Sequence, residues 1–152
     1  MAAAWRIVKR RHAARAFDGE GARRFGGRWT SPGRRSVYTS GSKSLAMLEL
    51  LVHLDVAHPL PRLVAMAFSI DERFIETLPS SDLPRGWRSL RGMAETRGIG
   101  DEWLASRRTL ALAVPSVIVP EETNYLLNPE HPAFVRLKFG NPAPLRLDHR
   151  LV

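Results

Sequence analysis

The sequence predicts an α+β fold in one domain, residues 1–152, built around a mixed sheet with more strand than helix. Several short segments alternate apolar and polar residues, as strands do. One run of apolar helix formers, LAMLELLVHL, predicts a single prominent helix at residues 45–54. No internal repeat or low-complexity linker divides the chain, and its length suits one domain with a sizeable core.

The first half of the chain contains two predicted strands and this helix. Residues 5–8 alternate and predict the first strand. The glycine-rich segment DGEGARRFGGRW predicts a loop. Residues 36–39, SVYT, predict a second strand between turn residues. Ser42 or Ser44 can cap the helix at 45–54, which we expect to be central and buried because it is apolar on nearly all sides.

The second half is richer in strands and prolines. Residues 62–70 predict a strand, and 86–107 predict helical or mixed structure, with a helix that opens at 101–103 and ends near Ser106. Residues 109–119 predict a strand, a proline break and another strand. The segment ETNYLLNPEHPAF predicts a loop, since Asn-Pro and His-Pro favour turns. The alternating segments VRLKF and PLRLD are expected to close the sheet.

Composition excludes several kinds of protein. Without cysteine, the chain can form no disulfide, no thiolate zinc site and no thiol nucleophile. The N-terminus lacks the apolar core of a secretory signal, and no run approaches the roughly 18 apolar residues of a membrane span. We therefore expect a soluble cytoplasmic protein without a membrane partner.

The charge is strongly basic and unevenly distributed. The chain carries 23 Lys and Arg against 15 Asp and Glu, a net charge of +8. Residues 1–43 hold eleven of these cations and only Asp18 and Glu20 as acids. Such a basic half indicates an anionic partner: nucleic acid, a phosphorylated small molecule or an acidic protein. A solvated basic surface without a dedicated ligand explains the same excess.

Two charged residues stand in unusual settings. Glu49 interrupts the apolar predicted helix, where a carboxylate is costly to bury unless it is paired or hydrogen-bonded. It either lies at the helix edge, bonds a core arginine, or lines a pocket for proton or cation chemistry. Arg28 stands in GGRWTSPG, where glycines allow close backbone approach and the guanidinium could clamp a phosphate or carboxylate. An incidental arginine in a surface turn is the alternative.

Tyr38 and Ser116 are further candidates. Tyr38, on a predicted strand, either packs in the core or stacks on a flat ring and hydrogen-bonds through its phenol. Ser116 follows Pro115 and either breaks the strand or offers a hydroxyl to a pocket. No Gly-x-Ser-x-Gly elbow indicates a hydrolase triad. The histidines form no helix-spaced metal pair, so we predict no metal site; they are His12, His53, His58, His131 and His149.

In this order the motifs resemble the RES domain, a bacterial toxin family named for its Arg, Glu and Ser. The resembling segments are FDGEGARRFGGRWTSPGRRSVYTSGSKSLAMLELLVHL and LAVPSVIVPEETNYLLNPEHP. They match the family's GGRW turn, Tyr-Thr-Ser strand end, Leu-Ala-x-x-Glu helix, Pro-Ser, and Asn-x-Leu-x-Asn-Pro-x-His-Pro loop. The resemblance covers residues 5 to about 147 and places the family's site residues at Arg28, Tyr38, Glu49 and Ser116.

The resemblance implies an ADP-ribosyltransferase-like fold and an enzyme that consumes NAD+ as its substrate, without a metal. The nicotinamide–ribose bond would break by hydrolysis, phosphorolysis or ADP-ribose transfer. Arg28 would hold the phosphates and Tyr38 would stack on or hold the nicotinamide. Glu49 would bond the ribose and stabilise its developing positive charge, and Ser116 would bond the nicotinamide amide or a ribose hydroxyl. Asn124, Asn128 and His131 fall in the family's late loop and are expected to be structural or supporting.

The resemblance also implies partners. The protein would be the toxin of a type II toxin–antitoxin system, neutralised by a cognate Xre-like antitoxin whose C-terminal part covers the active site. Operator DNA would be bound only through the antitoxin, and a homo-oligomer is one arrangement that the complex could take.

Two other functions stay open. The basic N-terminal half could serve a nucleic-acid-binding module or a ribonuclease-type toxin. Its cations lack the interleaved aromatic residues of a stacking platform, however, and no helix-turn-helix is legible. The third function is a non-catalytic RES domain that only binds a partner, which the intact Arg28, Tyr38, Glu49 and Ser116 argue against.

Overall fold

The computed structural model describes residues 1–55 and 59–152, so His58 lies outside the described residues. The strands are β1 Ala2–Lys9, β2 Val37–Ser40, β3 Leu63–Ile70, β4 Ile75–Thr77, β5 Ala111–Pro115, β6 Thr123–Leu127 and β7 Ala143–Leu145. The α-helices are α1 Glu20–Phe25, α2 Lys43–Leu51 and α3 Met93–Ser106. Among the described residues, no helix is long and apolar enough to cross a bilayer.

These strands form one mixed sheet in the order β4-β5-β6-β2-β1-β3-β7. Neighbours are antiparallel except β4 and β5, which are parallel. β1 and β3 pair along their whole length, whereas in the described part of the chain β1 and β2 pair at one position, Trp5 with Ser40. The sheet therefore separates between β1 and β2 beyond this pair, and an opening forms at its centre.

The helices α2 and α3 lie on the same face of the sheet. Ala46 and Leu50 of α2 pack with Ile7 of β1 in one apolar cluster. Trp103 and Leu104 of α3 pack in another cluster, which contains residues of β5 and β6. The register explains this, because Trp5 lies opposite Ser40 and Tyr38 lies opposite Leu126. Residues two apart in a strand share a face, so Ile7 and Leu126 are on the same side of the sheet.

Several sequence predictions agree with the structure. Strands lie where residues 5–8, 36–39 and 62–70 predicted them. The Ser42 side chain caps α2 by accepting a 3.1 Å hydrogen bond from the backbone N–H of Leu45. α3 ends at Ser106, as expected.

Two predictions in the first half were wrong. The glycine-rich segment contains the short helix α1, because Asp18 accepts a hydrogen bond from the N–H of Glu20 and starts a helical turn. The helix predicted at 45–54 spans Lys43–Leu51 and is not fully buried: Leu48 is 38% exposed and the following Val52 60% exposed. The helix is apolar on nearly all sides, but the described residues of this chain leave one of those apolar sides exposed.

Further corrections fall in the second half. α3 begins at Met93, well before the predicted opening at Asp101. The segment predicted as a loop contains β6, which is paired on both sides, with β2 and β5; its pairing partners override its weak strand signal. Residues 116–119 are not a strand, because the Ser116 hydroxyl accepts hydrogen bonds from the backbone at 118 and 119 and forms a turn instead. VRLKF falls on a 3₁₀-helix, Pro132–Arg136, and the residues after it, so the sheet is closed by β7 alone.

α3 fixes the loop that follows α1, residues 26–31. Thr96 donates to the carbonyl of Arg28 at 2.6 Å, and Arg97 donates to that of Gly27 at 2.9 Å. Asp101 accepts from both the N–H and the hydroxyl of Ser31, at 2.9 and 2.6 Å. Gly100 lies so close to the carbonyl of Trp29 that any added Cβ would overlap it. The loop and the helix are therefore one packed unit.

We predict opposite effects for two glycine substitutions on α3. Gly100→Ala should lower the free energy of unfolding by about 1–3 kcal/mol, because its methyl group overlaps the Trp29 backbone. Gly98→Ala is the matched control: nothing lies within 4 Å of its added Cβ, and alanine should raise the stability of the helix by up to about 1 kcal/mol. Urea denaturation followed by tryptophan fluorescence measures both, and equal stabilities would contradict the packing described.

Candidate active site

A cleft of about 500 Å³ lies at the opening of the sheet, bordered by the loop 26–31, α2 and β6. A smaller lobe of about 220 Å³ extends from it towards β1. The residues that line both spaces are Arg6, Tyr38, Glu49, His53 and Asn124. The two spaces therefore meet around Glu49.

Glu49 lies on α2 and is held through one of its two carboxylate oxygens. Its Oε1 accepts hydrogen bonds from Ser116 Oγ at 2.8 Å and from Asn124 Nδ2 at 2.6 Å. The orientation of the Asn124 amide is fixed because its Oδ1 accepts from Ser40 Oγ at 2.8 Å. Within the described part of the chain, Oε2 accepts no hydrogen bond. One oxygen is thus anchored and the other remains available to a ligand.

Ser116 hydrogen-bonds Glu49 from a buried position outside the cleft lining. The residue is fully buried, and its neighbours Val117 and Ile118 line the cleft in its place. Its hydroxyl donates to Glu49 and accepts from the N–H groups of Ile118 and Val119, at 3.0 and 3.1 Å. A hydroxyl has one donor and two acceptor positions, so all three are occupied.

Tyr38 lies in the cleft wall with its hydroxyl engaged. That hydroxyl accepts from the N–H of Trp29 at 3.1 Å and shares a 2.7 Å hydrogen bond with Thr30. Gly27 lies against it, and a Cβ there would come within 2.5 Å of the Tyr38 oxygen. Burial raises the pKa of the phenol, and the hydrogen bond with Thr30 opposes the shift in part. The phenol is therefore neutral near pH 7 and ties the loop 26–31 to β2.

Arg28 is presented by this loop to the cleft. Its Nη1 donates to the carbonyls of Ser89 and Trp87, at 2.7 and 3.3 Å, which orient the guanidinium. No carboxylate of the described residues forms an ion pair with it. Its positive charge and remaining N–H groups can therefore bind an anion in the cleft.

Sequence reasoning missed Arg6, which ties the two parts of the sheet together. Its guanidinium donates to the carbonyl of Ala16 at 2.5 Å and to that of Tyr38 on β2 at 2.7 Å. Burial lowers the pKa of Arg6 to about 10, and the negative charge of Asp18 acts in the opposite direction. The sequence indicates that Arg6 is partly buried, because the alternation of β1 places it on the same face as the buried Ala4.

The remaining late-motif residues have different positions. Asn124 belongs to the strand β6 and not to a loop, and it lines the cleft. Asn128 bonds the carbonyl of Leu104, and His131 caps the N–H of Ala133, both away from the cleft. Burial lowers the pKa of His131. In residues 1–55 and 59–152, no group of three or more His, Asp or Glu is placed to hold a metal ion.

The four residues singled out from the sequence thus converge on one place. Arg28, Tyr38 and Glu49 line the same cleft, and Ser116 reaches it through its hydrogen bond to Glu49. These residues are separated by up to 88 positions in the chain, from Arg28 to Ser116. What binds in the cleft is a separate question.

Comparisons with known proteins agree with this geometry. A family model described as the RES domain matches residues 3–148. The chain is 42% identical over 148 residues to "Toxin Res" of Yersinia enterocolitica, covering 97% of each protein. It is 41% identical over 153 residues to the "Prs ADP-ribosylating toxin" of Sphingobium sp. strain YBL2, covering 97% of this chain and 95% of the relative.

A solved structure shares the fold. The crystal structure of the M. tuberculosis MbcT–MbcA toxin–antitoxin complex contains a chain that matches with a TM-score of 0.70 and 18% identity. The match covers 94% of this chain and 83% of the other. It confirms the predicted α+β, ADP-ribosyltransferase-like fold.

Proposed function

We propose a function from one established premise: the chain belongs to the RES domain family. On this premise, the protein is a toxin and an enzyme that breaks the nicotinamide–ribose bond of NAD+. The observation that carries the proposal is a single cleft of about 500 Å³ shared by Arg28, Tyr38 and Glu49. This volume lies within the range of about 300–1,000 Å³ for small-molecule sites. The ADP-ribosylating activity in the name of a 41% identical relative supports the same substrate.

The bond to be broken determines what the cleft must supply. Nicotinamide leaves NAD+ as a neutral molecule, so no strong acid is needed. The ribose that remains develops oxocarbenium-like positive charge in the transition state, as in glycoside cleavage. A fixed negative charge beside the ribose stabilises that state more than the ground state. Glu49 Oε2, which accepts no hydrogen bond within the described residues, is the group we assign to this role.

Ser116 and Asn124 act on the substrate through Glu49. The hydroxyl of Ser116 has no position left for a nicotinamide amide or a ribose hydroxyl, since all three of its hydrogen-bonding positions are used. We therefore assign it, together with Asn124, to positioning the carboxylate rather than to contacting the substrate. Two donors on one oxygen restrict rotation of the carboxylate and keep the second oxygen directed to one place.

Arg28 and Tyr38 would hold the rest of the dinucleotide. Arg28 is the unpaired cation of the loop 26–31, and its planar guanidinium suits the pyrophosphate. The hydroxyl of Tyr38 is engaged with Trp29 and Thr30, so its ring is the part available to stack on the nicotinamide. The acceptor of the ADP-ribose is water, phosphate or a protein side chain.

The partner proposal rests on apolar residues around the cleft. Leu48 of α2, Val52 directly after it, Phe25 at the end of α1, and Leu90 are all exposed. Val52 lines the cleft, and Leu48 and Phe25 are chain neighbours of the cleft residues Glu49 and Gly26. Exposed apolar residues grouped at a site mark a surface that a partner covers. We propose that a cognate Xre-like antitoxin covers it with its C-terminal part in the cytoplasm, and that operator DNA is bound through the antitoxin. The matched MbcT structure is itself a toxin–antitoxin complex.

Glu49→Gln tests the catalytic proposal. The substitution keeps size and hydrogen bonding but removes the charge, so we expect nicotinamide release from NAD+ to fall by about 100-fold or more. Glu121→Gln, an exposed position outside the cleft, should leave the rate unchanged. Release is followed by chromatography, with and without phosphate. A wild-type chain that releases no nicotinamide with any acceptor, or a fully active Glu49→Gln variant, would contradict the proposal.

Leu48→Asp with Val52→Asp tests the partner surface. Two charges on the exposed side of α2 should weaken the complex with the antitoxin by about tenfold or more, because they would have to be desolvated. Val135→Asp, an exposed apolar position on another element, is the control and should bind as wild type does. Affinity is measured by calorimetry with the purified antitoxin. If the wild type, the double variant and the Val135→Asp variant bound the antitoxin equally well, the antitoxin would not contact this side of α2.

A further inference from the structure

A second concave surface lies at the β7 edge of the sheet. Cavities of about 600 and 470 Å³ share Arg10, Pro61 and Arg62 and form one continuous depression. We call it the basic groove, after the cations that line it: Lys9, Arg10, Arg11, Arg62 and Arg146. Among residues 1–55 and 59–152, none of those that line it also lines the active-site cleft. The groove is therefore a separate site.

Strand pairing assembles the groove from three distant segments. The register of β1 on β3 places Lys9 opposite Leu63, and that of β3 on β7 places Leu63 opposite Leu145. The chain therefore leaves β1, enters β3 and leaves β7 at the same end of the sheet. Residues 9–11, 62 and 146 lie at these three points, so the cluster is a product of the fold and not of one basic stretch.

The cations of the groove have no acidic partners among the residues that the structure describes. In the described part of the chain, none of the five forms an ion pair, and Arg11 donates only to His12. Arginines elsewhere are paired: Arg108 with Glu76 and Glu102, and Arg150 with Asp148. The five cations line one depression. Like charges repel one another over separations up to the Debye length, which is about 10 Å at 0.1 M salt. An anionic ligand would relieve that repulsion.

We propose that the basic groove binds the phosphate backbone of a nucleic acid, as a function separate from that of the cleft. Four of its five cations are arginines, whose planar fork suits phosphate. The cations are exposed or half-exposed and spread over two adjoining cavities, which fits an extended polyanion better than one small ion. A peptide strand is less suited to this edge, because β7 has three residues and its central Pro144 lacks an N–H. Part of the basic N-terminal half is thus directed away from the cleft.

Charge reversal in the groove tests the proposal. A fluorescein-labelled DNA duplex of about 20 base pairs is titrated with the full chain between about 50 and 200 mM salt, followed by fluorescence anisotropy. Arg10→Glu with Arg62→Glu should weaken binding by about tenfold or more and reduce the slope of log K against log salt by about two. Arg85→Glu with Arg136→Glu makes the same change in net charge outside the groove and should weaken binding by less than about threefold.

Other readouts separate this site from the cleft and from other partners. NAD+ cleavage and the melting temperature should be the same in both double variants as in the wild type. Equal weakening by the two double variants would assign binding to net charge and overturn the proposal. So would a poly-glutamate peptide that displaces the duplex at lower concentration than unlabelled duplex does, because the groove would then fit an acidic protein. Absence of binding by the wild type at about 50 mM salt would also overturn it.

Discussion

The site depends on one constraint: Glu49 receives both of its hydrogen bonds on the same oxygen. A carboxylate on a helix that is apolar on its other sides is costly to desolvate, and hydrogen bonds from Ser116 and Asn124 offset that cost. If the two donors were divided between the two oxygens, neither oxygen would keep both of its acceptor positions for a ligand. The orientation of the Glu49 carboxylate, whose Oε2 accepts no hydrogen bond from the described residues, is therefore a consequence of where β6 and the turn after β5 lie.

The opening in the sheet makes this arrangement accessible. β1 leaves β2 after a single pair, and an unfilled gap there would expose backbone groups to a buried space. Arg6 fills the gap and satisfies the carbonyl of Tyr38 with a charge-assisted hydrogen bond. The phenol of the same tyrosine holds the loop that carries Arg28. Tyr38 of β2 thus connects the gap, the loop and the cleft, and the cleft is lined by both Arg28 and Glu49.

Local sequence features predicted those parts of the structure that local chemistry determines. Glu49 was detectable because a charge in an apolar helix needs an explanation, and Ser42 because helix capping is a short-range contact. The contact between Ser116 and Glu49 joins residues 67 positions apart, and nothing near Ser116 indicates it. The strand β6 was missed for the same reason, since pairing with β2 and β5 decides its conformation. The burial prediction for α2 was misled because apolar composition does not show which side of a helix the rest of the chain covers, and Leu48 is exposed among the described residues.

A double-mutant cycle on kcat for NAD+ consumption tests most directly whether Ser116 and Asn124 act through one oxygen. With either donor removed, by Ser116→Ala or Asn124→Ala, the carboxylate can rotate; kcat should fall while KM changes little. The double variant should then have a kcat only slightly below that of the less active single variant. The two losses would depart from additivity by at least about 0.5 kcal/mol. Losses that add in full, or single variants with wild-type kcat, would contradict the account.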